Sequence, residues 1–312
     1  MSAVADNPVP PVERGWSFNG TAVTARALTP GLHIVATPIG NLGDITLRAL
    51  GVLAAADMIL AEDTRMARRL TEHYGIRTPT RRFDAHASQA QCLAVITAIK
   101  AGAAYALISD AGTPLLSDPG SALVMQAVTA GIAIHPLPGA SALLAALVVA
   151  GLPVGHFFFE GFLSAKSGER RRRIRELAEV PGALVFYEAP HRVLETMIDL
   201  EAILGDRPAI AGRELTKLYE SVQRGSLSSL IGHFTVEAPR GEFVLIVGSP
   251  AAEPVASDAA VDAHLLTLMG TMSVKDAASV AAAELGLPRR EVYARALKLQ
   301  GKTYLKGKTD AR

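Results

Sequence analysis

Between residues 31 and 150, short apolar runs each end in a polar loop and lead into a helix-compatible segment. Leu32 to Ala36 opens onto Thr37-Pro38-Ile39-Gly40-Asn41-Leu42-Gly43-Asp44, and Met58 to Ala61 runs into Glu62-Asp63-Thr64-Arg65. Leu107-Ile108 leads to Ser109-Asp110-Ala111-Gly112-Thr113-Pro114-Leu115-Leu116-Ser117-Asp118-Pro119-Gly120, and Ile132 to Leu137 leads to Pro138-Gly139-Ala140-Ser141-Ala142. Strands that alternate with helices pair in parallel through right-handed crossovers. The chain is thereby constrained to an α/β fold whose loops gather at the carboxyl ends of the strands, where open sheets of this class bind ligands.

The loop from Ser109 to Gly120 is too long for an ordinary strand-to-helix turn and holds two carboxylates, hydroxyls and rigid turn residues, which points to binding. Asp and Ser acting only as helix caps is the plainer alternative. The loop after Leu32 to Ala36 carries neither the dinucleotide fingerprint nor a Gly-Lys-Ser/Thr phosphate cradle, which argues against a nicotinamide or nucleoside-triphosphate enzyme. Glu62-Asp63-Thr64-Arg65 reads equally as a set of site groups and as an N-cap with acids on the positive helix end.

With 312 residues, 49% hydrophobic and 20% charged, the chain has material for about two domains with real cores. Gly151-Leu152-Pro153 interrupts the alternation, so we expect an N-terminal α/β domain over 30–151 and a second over 152–250. Residues 1–29, with three prolines by position 11 and no apolar core, are expected to be a disordered tail and not a secretory signal. In the second domain, Phe157 to Leu163, Ala183 to Tyr187, Ala209 to Gly212 and Phe243 to Val247 read as strands with charged ends. After a linker at Pro250 to Pro254, three short helices are expected over 257–269, 273–285 and 288–300, within a basic, helix-turn-helix-like segment at 255–312. Ser273 with Asp276 resembles a capping box, and Gly286-Leu287-Pro288 reads as a tight turn. From Arg289 onward eight Lys/Arg face only Glu291 and Asp310, which suggests nucleic-acid contact.

The net charge of +1 gives no whole-chain sign of such a partner. A single cysteine, Cys92, excludes a disulfide framework and a multi-cysteine zinc site, and no metal-ligand signature is present. The single cysteine fits a reducing cytoplasm, and since no apolar run reaches the ~18 residues of a membrane span, no membrane partner is expected.

Taken together, Thr37 to Asp44, Ala61 to Arg65, Ser109 to Gly120, Pro138 to Ser141, Phe186-Tyr187-Glu188-Ala189-Pro190-His191-Arg192 and Arg213-Glu214-Leu215-Thr216-Lys217 resemble the tetrapyrrole methylase superfamily of S-adenosylmethionine enzymes. The similarity covers about residues 31–300 and is nearest to the branch that methylates a ribose 2′-hydroxyl of a decoding-region cytidine in 16S rRNA. It implies the two-domain class III methyltransferase fold with a small helical C-terminal extension, a homodimer, and S-adenosylmethionine held in a cleft between the α/β domains. Carried over position by position, Pro38, Asp110, Ala111, Gly112, Thr113, Ser117, Asp118, Pro138, Gly139, Ser141 and Ala142 would hold the cofactor. His86 sits where this chain departs from the family pattern, and its role stays open.

Transfer to a ribose hydroxyl needs the oxygen in line behind the methyl carbon and an acceptor for the hydroxyl proton. Glu62, Asp63, Glu188 and Lys217 are the candidates for that work, and sequence does not choose among them. The run Arg170-Arg171-Arg172-Arg173, with Arg65, Arg213, Arg289 and Arg290, would suit RNA phosphates of the small ribosomal subunit, although an arginine run is also a common solvated helix face. Two other functions compete: a tetrapyrrole methyltransferase of the same fold, and a non-catalytic RNA-binding assembly factor.

Overall fold

The computed structural model describes residues 14–250, 258–285 and 287–309, with side chains as far as residue 301. Its first lobe contains strands β1 (Gly15–Phe18), β2 (Thr21–Thr24), β3 (Gly31–Val35), β4 (Met58–Ala61), β5 (Thr80–Arg82), β6 (Ala104–Ile108) and β7 (Ile134–Leu137). Helices α1 (Leu47–Ala55), α2 (Thr64–His73), α3 (Gln89–Lys100), α4 (Ser121–Thr129) and α5 (Ala142–Val149) are interleaved with them. Strands β3 to β7 form one parallel sheet in the order β5-β4-β6-β3-β7. Because side chains alternate faces along a strand, Ala106 and Ile108 of β6 join the core under α1 and α2, while Tyr105 and Leu107 join that under α3 and α4. Both faces are covered, so the strands read as continuous apolar runs.

The second lobe contains β8 (Phe157–Phe162), β9 (Ala183–Glu188), β10 (Pro208–Arg213), β11 (Ser221–Ser226) and β12 (Phe243–Val247), with α6 (Ser167–Leu177), α7 (Val193–Leu204) and α8 (Leu227–Val236). The order is β11-β10-β12-β9-β8; β8 and β9 run parallel and the remaining pairs antiparallel. Helices α6 to α8 cover one face through Ile174, Leu200, Leu230 and Phe234.

Two expectations need correction. Residues 14–29 are ordered: β1 and β2 pair as an antiparallel hairpin, and Trp16, 8% exposed, enters the core beside α1. Residues 1–13 of the expected tail lie outside the described residues. Nor does packing divide the lobes at Gly151. Helix α5, grouped with the first domain by sequence, buries Leu143, Ala146 and Leu147 against Val185, Ile210, Val244 and Ile246 of the second sheet. The open face of the second sheet covers one side of this all-apolar helix, while Leu144 and Val148 stay exposed. Residues through Pro250 accordingly form one compact unit.

The other unit holds α9 (Asp258–Met269), α10 (Val274–Glu284) and α11 (Arg289–Thr309). Ala278, Ala281 and Ala282 of α10 pack against Val261, Leu265, Val292 and Ala296, small side chains permitting close helix approach. Arg295 of α11 binds Asp258 and Asp262 of α9, so this cation of the basic segment holds the helices together. Ser273 caps α10 by accepting the Asp276 N–H, but its hydroxyl donates to the Asp276 carboxylate, so the expected box is only half formed. Gly286 of the expected turn and Ala251 to Pro254 of the expected linker lie outside the described residues.

Candidate active site

The loops after β3, β4, β6 and β7 leave one edge of the parallel sheet and face the ends of β9, β10 and β12. Between them lies a cleft of about 620 Å³. One wall is made of Ile39, Glu62, the segment Asp110 to Thr113, Leu116 to Asp118, Ser141 and Ala142. Opposite stand Phe162, Tyr187 to His191, Gly212, Glu214, Leu215, Lys217 and Glu242 to Val244.

The long loop after β6 is held in a demanding conformation. Gly112 exchanges backbone hydrogen bonds with Thr37 at 2.9 and 3.0 Å, tying this loop to the one after β3. Gly112 has φ 84°, and Leu115 and Ser117 occupy the same left-handed region at 75° and 64°. On the other wall Glu214 and Thr216 do so at 49° and 68°; of the described non-glycine residues with positive φ, only Asn19 lies elsewhere. Backbone strain of about 1–3 kcal/mol per residue persists only where surroundings over-determine it, and it gathers at binding sites. Gly161, at a bulge in β8, lets Ser117 approach so closely that a Cβ there would collide with the Ser117 hydroxyl.

The charged groups divide into two kinds. Glu62, Asp110 and Asp118 face the cleft with no ion-pair partner among the described residues. Burial and the neighbouring carboxylates of Asp110, Asp118 and Asp84 push the Glu62 carboxyl up, against a smaller opposing effect of Arg82. Burial also raises Asp118, partly offset by the Ser109 hydroxyl, which donates to it. Glu188, Glu214 and Glu242, by contrast, are satisfied within the protein. Glu188 is buried, accepts hydrogen bonds from the Ala189 N–H at 3.0 Å and the Thr196 hydroxyl at 2.6 Å, and pairs with Arg192. Lys217 Nζ donates to Glu214 and Glu242, both at 2.9 Å. Burial favours its neutral form, but those hydrogen bonds outweigh it and hold the ammonium above the ordinary lysine value.

Several sequence candidates thus occupy different places from those expected. Asp63 does not line the cleft: it caps α2, accepting the Arg65 N–H at 2.8 Å, and the Arg65 guanidinium holds its carboxyl down to about 2. The plainer reading of that segment as a cap describes Asp63 and Arg65, while Glu62 turns inward. Glu188 and Lys217 line the cleft, but the first has its oxygens occupied and the second keeps its proton. Pro38, Pro138 and Gly139 lie outside the lining; a Cβ at Gly139 would stand 3.0 Å from that of Ala36, so its small size serves packing. His86 is exposed and also outside the cleft.

The arginines of the run are each engaged by a carboxylate of this chain, and only Arg170 is buried. Arg170, Ile174 and Leu177 share the inner face of α6, so Arg170 is 3% exposed and donates to Asp199 at 2.7 Å. Asp199 also binds Arg171, and Arg173 makes a two-pronged contact with Glu160 at 2.8 Å. Arg172 is the outward member, and Arg289 and Arg290 are exposed on the C-terminal unit. Arg170, buried and paired, is therefore no phosphate ligand. Sequence reading missed Phe162, Tyr187, Leu215 and Glu242; their strands were legible, but which strand ends would meet was not.

A family profile described as Tetrapyrrole (Corrin/Porphyrin) Methylases matches residues 31–231, and one described as RsmI C-terminal HTH domain matches 255–300. A protein of Mesorhizobium japonicum named Ribosomal RNA small subunit methyltransferase I is 46% identical over 282 residues, covering 90% of this chain and 96% of its own. Its namesake in Pseudomonas aeruginosa is 44% identical, covering 87% and 98%. The chain belongs to the ribosomal RNA small subunit methyltransferase I family, a branch of the tetrapyrrole methylases. The fold is that of the wider family. The methyltransferase CobJ superposes with a TM-score of 0.54 at 22% identity, covering 72% of this chain and 96% of its own. A diphthine synthase superposes with 0.57 at 17%, covering 70% and 89%. Those solved enzymes cover a smaller share of this chain than the ribosomal RNA methyltransferases do.

Proposed function

We propose that this chain transfers the methyl group of S-adenosylmethionine to the ribose 2′-hydroxyl of a cytidine in the decoding region of 16S rRNA, working in the cytoplasm as a homodimer on the small ribosomal subunit. The observation that carries the reading is the 46% identity, over 90% of this chain, to a Ribosomal RNA small subunit methyltransferase I.

The cleft suits that donor. Its 620 Å³ lies within the ~300–1,000 Å³ of small-ligand pockets. No phosphate cradle is needed for a donor without phosphates. The uncompensated carboxylates Glu62, Asp110 and Asp118 complement a sulfonium and an ammonium. When bound, the donor supplies an electrophilic methyl group on a leaving group that departs as a neutral thioether. What this chain adds is orientation by a braced loop, exclusion of water, and a place for the hydroxyl proton. Glu62 suits that last role best: it lines the cleft, has no partner among the described residues, and has a higher proton affinity than an ordinary glutamate. Lys217 contributes a fixed positive charge between two carboxylates.

Incubating the chain with labelled S-adenosylmethionine and unmethylated small subunits tests the reading. Label is expected in 2′-O-methylcytidine. Label in an added tetrapyrrole pool would favour the small-molecule methyltransferase, and donor binding without transfer to either would favour the assembly factor.

A further inference from the structure

Beside Lys217 the chain makes a tight turn in which the Glu220 N–H donates to the Lys217 carbonyl at 3.2 Å. Its two central residues are Leu218 and Tyr219, 88% and 69% exposed. Such positions ordinarily hold Gly, Asn, Asp or Ser. This turn is rigidly built. Glu214 and Thr216 are left-handed, the Thr216 N–H donates to the Glu220 carboxylate at 2.6 Å, and the Lys217 ammonium is fixed by Glu214 and Glu242. A loop braced this way presents an apolar and an aromatic side chain to solvent at the cleft edge.

Two cations accompany it. Arg213 begins the same loop and donates to the Arg240 carbonyl at 2.6 Å, which brings the two arginines together. Neither forms an ion pair with a carboxylate among the described residues. The rim on this side thus combines an exposed aromatic ring with two arginines outside any ion pair among the described residues, its carboxylates Glu214, Glu220 and Glu242 being engaged by Lys217 and the Thr216 N–H, while the cleft wall at Glu62, Asp110 and Asp118 is acidic. An RNA strand meeting such a surface keeps its phosphates on the rim and sends a nucleoside inward, since carboxylates repel phosphate.

We propose that Tyr219, flanked by Leu218, is a stacking platform for a base next to the methylated nucleotide, and that Arg213 and Arg240 hold the phosphates of that strand. The inference rests on the RNA substrate proposed above. Single-stranded RNA is held by this chemistry, bases on aromatic faces and phosphates on arginines.

The test uses the full chain, S-adenosylmethionine and unmethylated small subunits. Tyr219→Ala is expected to raise KM for subunits about ten-fold with donor affinity unchanged, and Tyr219→Trp to recover most of the loss. Arg240→Ala is expected to flatten the salt dependence of subunit binding, by roughly 0.7 in the log-log slope for each phosphate no longer neutralised. A wild-type KM in Tyr219→Ala, or a wild-type salt slope in Arg240→Ala, overturns the proposal. So does dissociation of an oligomer by Tyr219→Ala, which would make the turn a contact between copies of the chain. If the wild-type chain transfers no methyl group to subunits, the RNA reading itself falls and this one with it.

Discussion

Glu62 and Lys217 stand on opposite walls of the same cleft, and their surroundings move both toward holding a proton more tightly, with opposite chemical consequences. For Glu62, burial and three nearby carboxylates make a carboxylate that accepts a proton more readily than an ordinary glutamate. The hydrogen bonds that its ammonium donates to two glutamates make Lys217 a cation that gives up its proton less readily, which removes it as an acceptor. The sign of the pH effect follows. An acceptor works only when ionised, so the rate falls as pH drops through the Glu62 value, and a raised value places that loss at higher pH than an ordinary glutamate would. Glu62→Gln should lower the single-turnover rate by roughly 100-fold, the lower end of what a positioned base contributes, and should erase that acidic limb. An acidic limb that persists in the variant would assign the proton to another group.

At the scale of elements, the N-terminal hairpin is the plainest addition to what the sequence reading foresaw. Its signal was present: Asn19-Gly20, at φ 48° and 79°, is the turn dipeptide of a two-residue hairpin, between the short runs of β1 and β2. Three nearby prolines and the absence of a long apolar run obscured it. Trp16 anchors the hairpin in the first-lobe core, and Trp16→Ala should destabilise the chain by about 3 kcal/mol in denaturant unfolding, since removing a buried aromatic leaves a cavity. An unchanged midpoint would mean that the hairpin contributes nothing to the core. Strand β11 was missed for a different reason. It is an edge strand, Ser221-Val222-Gln223-Arg224-Gly225-Ser226, whose polar composition carries no alternation, and its place is decided by pairing with β10.

For the whole molecule, the division that matters falls at Pro250. The unit before it holds both lobes and the entire cleft, and the unit after it has its own core. Removing residues 251–312 should therefore leave S-adenosylmethionine affinity near the full-length value in calorimetry. Methylation of subunits should fall by about ten-fold or more if, as proposed, the basic side chains of the segment neutralise RNA phosphates. Full-rate methylation by the truncated chain would remove the C-terminal helices from RNA recognition. By itself the sequence determined the parallel first sheet, the loops gathered at its carboxyl edge and the C-terminal helices, because apolar period and turn chemistry are local properties. Only the tertiary structure decided which charges are free. Arg170 meets Asp199 29 residues away and Lys217 meets Glu242 25 residues away, while Glu62 meets no cation at ion-pair distance among the described residues. Whether a charged side chain binds a ligand or braces the fold depends on partners that only folding brings within reach.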